Sequence, residues 1–140
     1  MFTPAGNDWT ARFRPIAAIL AGLRVRTAYI DGEIAVLTNE AISDFGALQE
    51  ALGRHGGSAE LVYVAFDILH LDGRDLPLIE RKAILEKLLA KLPKGSPIQF
   101  SQHITGRGPD FFKVACQRHL EGIISKRATS PYLSGVVAIG

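Results

Sequence analysis

The chain contains a single cysteine, Cys116, so no intramolecular disulfide framework is possible and a reduced, intracellular setting is expected. Its neighbours Phe112, Val114 and Ala115 favour a buried structural thiol over a nucleophile. No apolar run approaches the roughly 20 residues that a membrane span needs, and Met1 is not followed by a basic and then an apolar segment. The expectation is a soluble, cytoplasmic protein with no membrane partner. His55, His70, His103 and His119 are scattered, which weakens any histidine-based metal chemistry. Lysine is absent before Lys82, and internal repeats and low-complexity tracts are absent throughout. Charge of one sign is also in short supply: the net charge of +2 permits a polyanionic partner without announcing one.

What is present suits one globular domain. The 140 residues are 47% hydrophobic, enough to build a real core. Pro15 opens a short amphipathic helix carrying Ile16, Ile19, Leu20 and Leu23, and Gly22 weakens its end. Residues 25–38 are rich in β-branched and aromatic side chains and read as strand. In residues 43–57, Ser43 or Asp44 caps a second helix with Phe45, Leu48 and Leu52 as its stripe. Residues 60–71 form the strongest strand pattern, closed by a turn at Asp72-Gly73. Pro77 then starts a surface helix with Ile84, Leu85, Leu88, Leu89 and Leu92 on one face and Glu and Lys on the other. Residues 97–104 look like an edge strand, Pro109 starts a further helix, and residues 121–127 look like a last short strand. Strands and helices mix irregularly, which predicts an α+β fold with a largely antiparallel sheet.

One stretch, "AYIDGEIAV" at residues 28–36, places two carboxylates in an apolar strand. Side chains alternate, so Tyr29, Asp31, Glu33 and Ala35 share one side and Ala28, Ile30, Gly32, Ile34 and Val36 the other. The apolar side belongs on the core, leaving Asp31 and Glu33 toward solvent or a cleft. Gly32 removes a side chain where a ligand or another backbone comes close. A solvent-facing Asp-Gly hairpin turn explains the same residues equally well. Glu121, before Gly122 at the mouth of the last strand, reaches a cleft or marks a solvated junction. Phe66 is by residue type more often core than a stacking platform.

The ordered set "AYIDGEIAV", "LVYVAFDILHLDG" and "EGIISKR" resembles the third motif, the motif following it and the fourth motif of the ATP-dependent DNA ligase family. That family lies within the covalent nucleotidyltransferases, and the likeness is nearest to the bacterial ligases of non-homologous end joining. "GNDWTARF", "PLIERKAILEKLL" and "EGIISKRATSPYLSG" also resemble connecting segments of that subgroup, so the resemblance spans nearly the whole chain.

The resemblance implies that residues 1–140 are part of an ATP-grasp-like adenylation domain that uses ATP with Mg²⁺ or Mn²⁺ and acts on nicked or broken DNA. Carried over by position, Glu33 contacts the nucleotide ribose and helps organise the metal, and Asp31 supports it. Phe66 stacks on adenine, Glu121 faces the divalent cation, and Lys126 lies near the phosphates. Hard carboxylate oxygens suit Mg²⁺, and an aromatic face suits a purine.

Two of the family's motifs are missing. Its covalent nucleotide carrier is the lysine of K-x-D-G, and no such context occurs here; nor does the later pair of phosphate-binding lysines. Pro4 and Ala5 stand where the family carries an Arg-Asn pair. No catalytic residue is therefore assigned, and the chain alone is expected neither to adenylate itself nor to seal a nick. The alternatives are a non-catalytic module binding adenine nucleotide or DNA, and an unrelated metal-dependent hydrolase using Asp31, Glu33 and Glu121. Exposed sheet edges and the apolar "VVAIG" tail suggest a homodimer.

Overall fold

A computed structural model of the chain describes residues 1–36, 61–74, 76–117 and 123–133. In chain order the elements are α1 (Arg14–Ala21), β1 (Ala28–Val36), β2 (Leu61–Leu71), α2 (Leu78–Leu89), β3 (Ile98–Phe100) and α3 (Gly108–Gln117). The helix expected at 43–57 and the apolar tail lie outside the described residues. Among those described, no helix is long and apolar enough to cross a membrane.

The three strands form one sheet in the order β1-β2-β3. β1 and β2 pair antiparallel along their length, whereas the three residues of β3 pair parallel to β2 through Tyr63↔Ile98, Val64↔Gln99 and Ala65↔Phe100. The fold is α+β as expected, and the sheet is mixed with its antiparallel pair the larger part. β3 is the edge strand anticipated from residues 97–104, although shorter.

Burial alternates only in part: Tyr63 and Ala65 are buried between half-buried neighbours, but the adjacent Asp67 and Ile68 are both buried, and on β1 the buried residue is Ala35, on the side of Asp31 and Glu33. Ala28, Ile30 and Ile34 join Tyr63, Ala65 and Ile68 on the apolar face, together with Phe13 and Ile16 at α1, Leu85, Leu88 and Leu89 of α2, and Ile98 of β3. Leu85 is fully buried; burying such a side chain stabilises by roughly 1.5–3 kcal/mol.

Turn chemistry fixes where the strands meet. Asp72 and Gly73 both have positive φ, 49° and 81°, the conformation that an Asp-Gly turn supplies cheaply. The Asp72 carboxylate also accepts the Thr27 and Arg26 amides at 2.9 and 3.2 Å, which ties the entry of β1 to the exit of β2.

Two expectations fail here. Residues 123–127 form no strand, and Cys116 is exposed. On α3 the buried position is Ala115, while Phe111, Phe112 and Val114 face outward and leave the thiol on the open side.

Candidate functional site

β1 carries its two carboxylates through an unbroken strand, so the hairpin-turn reading of Asp31-Gly32 does not hold. Glu33 is exposed and Asp31 half-buried. Gly32 is explained by a close approach, though from within the chain: a Cβ at that position would lie 2.6 Å from the Tyr63 ring and 2.6 Å from the Val64 carbonyl oxygen. The Tyr63 hydroxyl crosses the missing side chain's space and donates to the Ile30 carbonyl at 3.0 Å. Burial, aided by the Asp31 charge, pushes the Tyr63 phenol up to about 12.

Opposite these residues the register slips twice. Tyr29 faces His70 but Ile30 faces Ile68, and Asp31 faces Asp67 but Gly32 faces Ala65. Each slip leaves one residue of β2 unmatched, Leu69 and Phe66, as a β-bulge does. Phe66 thus sits at an irregularity directly beside the Asp31-Gly32 step, and its side chain need not obey simple alternation.

The chain following α3 is brought to the same place by the start of α2. The Leu78 and Ile79 amides, unpaired within their own helix, donate to the carbonyls of Ser130 at 3.0 Å and Ala128 at 2.9 Å. Arg81 donates to the Ser130 carbonyl at 3.3 Å and the Leu76 carbonyl at 2.7 Å. Lys126, a few residues upstream, comes to rest with its ammonium 5.5 Å from the centre of the Phe66 ring.

Behind Phe66 lie charges that the sequence analysis did not single out. Asp67 and Arg81 form a two-pronged ion pair at 3.0 Å on both oxygens, with both side chains almost wholly buried. Lys82 is also buried: its ammonium donates to the Phe66 carbonyl at 2.9 Å and the Ser101 carbonyl at 3.2 Å and lies 4.9 Å from the Phe100 ring centre. Burial holds the Lys82 ammonium below the usual lysine range, the Lys126 charge adds to that, and Asp67 and Glu86 oppose it. The lysines of α2 therefore do not all decorate its solvent face. A usable signal was present, because Lys82 stands three and seven residues before Leu85 and Leu89, on the apolar stripe itself.

Strand pairing thus sets Phe66 of β2 across from the Asp31-Gly32 step of β1, and Lys126 rests against the Phe66 ring. Glu121 lies outside the described residues. Among the described residues no three His, Cys, Asp or Glu side chains converge as a metal site. An open hollow of about 450 Å³, lined by Leu61, Val62, Gly95, Ser96, Pro97 and Gln99, sits at the other end of β2 and includes none of the expected site residues.

Residues 2–138 match the family described as the ATP dependent DNA ligase domain. The chain belongs to that family. It is 39% identical over 137 residues to the multifunctional non-homologous end joining protein LigD of Pseudomonas aeruginosa, covering 96% of this chain and 16% of that protein. It is 35% identical over 136 residues to the SPbeta prophage-derived DNA ligase-like protein LigB of Bacillus subtilis, covering 94% of this chain and 48% of that protein. Among solved structures, the ligase domain of Mycobacterium tuberculosis LigD superposes with a TM-score of 0.75 at 28% identity. A mycobacterial DNA ligase D complexed with ATP and MES gives 0.76, also at 28% identity. Both comparisons cover 96% of this chain and 43% of the other. This ligase-domain chain therefore spans less than half of each of these relatives.

Proposed function

We propose that this chain forms part of a DNA ligase adenylation domain of the end-joining type, and that the β1–β2 face around Phe66 holds the adenine nucleotide. One observation carries the reading: Phe66 and Lys126, 60 residues apart in sequence, meet beside the strand that carries Asp31 and Glu33. The half-buried Phe66 ring offers a face for the purine, and Lys126 offers a cation to the phosphates, which its exposure leaves free to move. Glu33 takes the ribose and, with Asp31 and Glu121, the divalent cation. Carboxylate oxygens suit Mg²⁺ or Mn²⁺ as hard ligands, although Asp31 and Glu33 alone make an incomplete set. Such a cation, when bound, screens the triphosphate charge. The wider activity is phosphodiester formation at nicked or broken DNA ends in cytoplasmic repair and recombination.

The test is titration of the chain with ATP, with and without Mg²⁺, repeated on Phe66→Ala and Glu33→Ala. Removing the ring weakens binding by roughly 1–3 kcal/mol if the base stacks there, and Glu33→Ala removes most of the Mg²⁺ dependence. Unchanged affinity in Phe66→Ala would return that residue to a packing role. Incubated with labelled ATP and Mg²⁺, this polypeptide is expected to give no covalent adenylated band, since none of its lysines stands in a K-x-D-G context, and a band would contradict that expectation.

A further inference from the structure

A buried ammonium is a costly way to fill space. Lys82 is 8% exposed, on the same stripe of α2 as Leu85 and Leu89, where an apolar side chain of similar length would avoid the desolvation. What the ammonium does there is specific. The unmatched residue of a bulge loses its place in the ladder, so the Phe66 carbonyl needs a donor from elsewhere. Lys82 supplies it at 2.9 Å and, at 3.2 Å, ties the same point to Ser101 just past β3. Ser101 in turn donates its amide to the Ala65 carbonyl at 2.8 Å, so the peptide units on both sides of the Phe66 Cα are fixed to one support. Held this way, the backbone at Phe66 can present its ring in one direction.

We infer that Lys82 is a positioning residue for nucleotide binding, holding the bulge at Phe66 so that the ring is set for the purine. The inference rests on the proposed role of Phe66 and adds a residue that touches neither base nor phosphate. Lys82 acts through the ring, so its removal affects the base and spares the triphosphate. It also has no further effect once the ring is gone.

The experiment compares the full chain with Lys82→Met, Lys82→Arg, Phe66→Ala and the Lys82→Met/Phe66→Ala double variant. Each is titrated with Mg²⁺-ATP and with Mg²⁺-tripolyphosphate, which lacks the base. Lys82→Met is expected to lose roughly tenfold in ATP affinity, within the range of coupled neighbours, and to bind tripolyphosphate as the parent does. The double variant is expected to match Phe66→Ala within about twofold, and Lys82→Arg, which keeps a charged donor, to recover much of the loss. Should Lys82→Met fail to fold, Lys82→Gln, too short to reach both carbonyls, carries the same expectations. Equal losses for ATP and tripolyphosphate, or additive losses in the double variant, would overturn the positioning role. Parent-like ATP binding by Lys82→Met beside a weakened Phe66→Ala would overturn this inference alone. A Phe66→Ala variant that binds ATP normally, or a parent chain that binds none, would overturn the nucleotide reading and this inference with it.

Discussion

Tyr63 and Gly32 are one arrangement seen from two strands. The phenol passes through the space that a side chain at position 32 would fill and reaches the Ile30 carbonyl, so each residue requires the other. Gly32→Ala forces the ring or the Val64 carbonyl aside and is expected to cost about 1–3 kcal/mol, read from urea unfolding. Tyr63→Phe keeps the ring and loses the hydrogen bond, for about 0.5–1.5 kcal/mol. The phenol also predicts a pH signature. Its ionisation is raised from an ordinary value near 10 to about 12 on folding, so between those values the unfolded chain has released a proton that the folded chain retains. The stability that Tyr63 contributes is therefore complete below pH 10 and is lost as pH rises toward 12. Denaturant unfolding at stepped pH should show that decline in the parent and a shallower one in Tyr63→Phe.

At the scale of elements, α2 organises the site more than its hydropathy pattern suggests. Its apolar stripe packs on the sheet, its first amides catch the carbonyls of Ala128 and Ser130, and Arg81 and Lys82 reach under the bulge. The Asp67–Arg81 pair is nearly sealed from water, and breaking one side strands a buried charge. Asp67→Ala is expected to destabilise by about 3–5 kcal/mol in chemical denaturation, and Arg81→Met in the same background to restore part of it. Periodicity located α1, β1, β2 and α2 because those elements bury plain apolar stripes. It could not locate the two bulges, which depend on how β2 registers against β1. Lys82 was legible in principle, since it stands on the apolar stripe of α2, but its residue type reads as surface. Residues 123–127 read as strand from their apolar pair, yet Ile124 is 85% exposed, and the chain is tied to α2 just beyond them, through the carbonyls of Ala128 and Ser130.

At the scale of the whole molecule, the order of three short motifs carried more information than any one of them. Asp31-Gly32 alone was indistinguishable from a turn, and Phe66 alone from a core residue. Together with their separations they indicated a DNA ligase domain, which the match over residues 2–138 establishes. The fold then explains why those separations matter: antiparallel pairing sets Asp31 against Asp67, and the return of the chain past α2 brings Lys126 back to Phe66. Cys116 was misjudged because its apolar neighbours say nothing about which side of α3 is covered.

The central claim is that adenine nucleotide binds at the Phe66 face of the β1–β2 pair. Backbone and side-chain NMR of the labelled chain during titration with Mg²⁺-ATP tests it most directly. Signals from Asp31, Gly32, Glu33, Phe66 and Lys126 are expected to move together along one saturating curve. Perturbation centred on Leu61, Pro97 and Gln99 at the far hollow, with Phe66 and Lys126 unmoved, would contradict it.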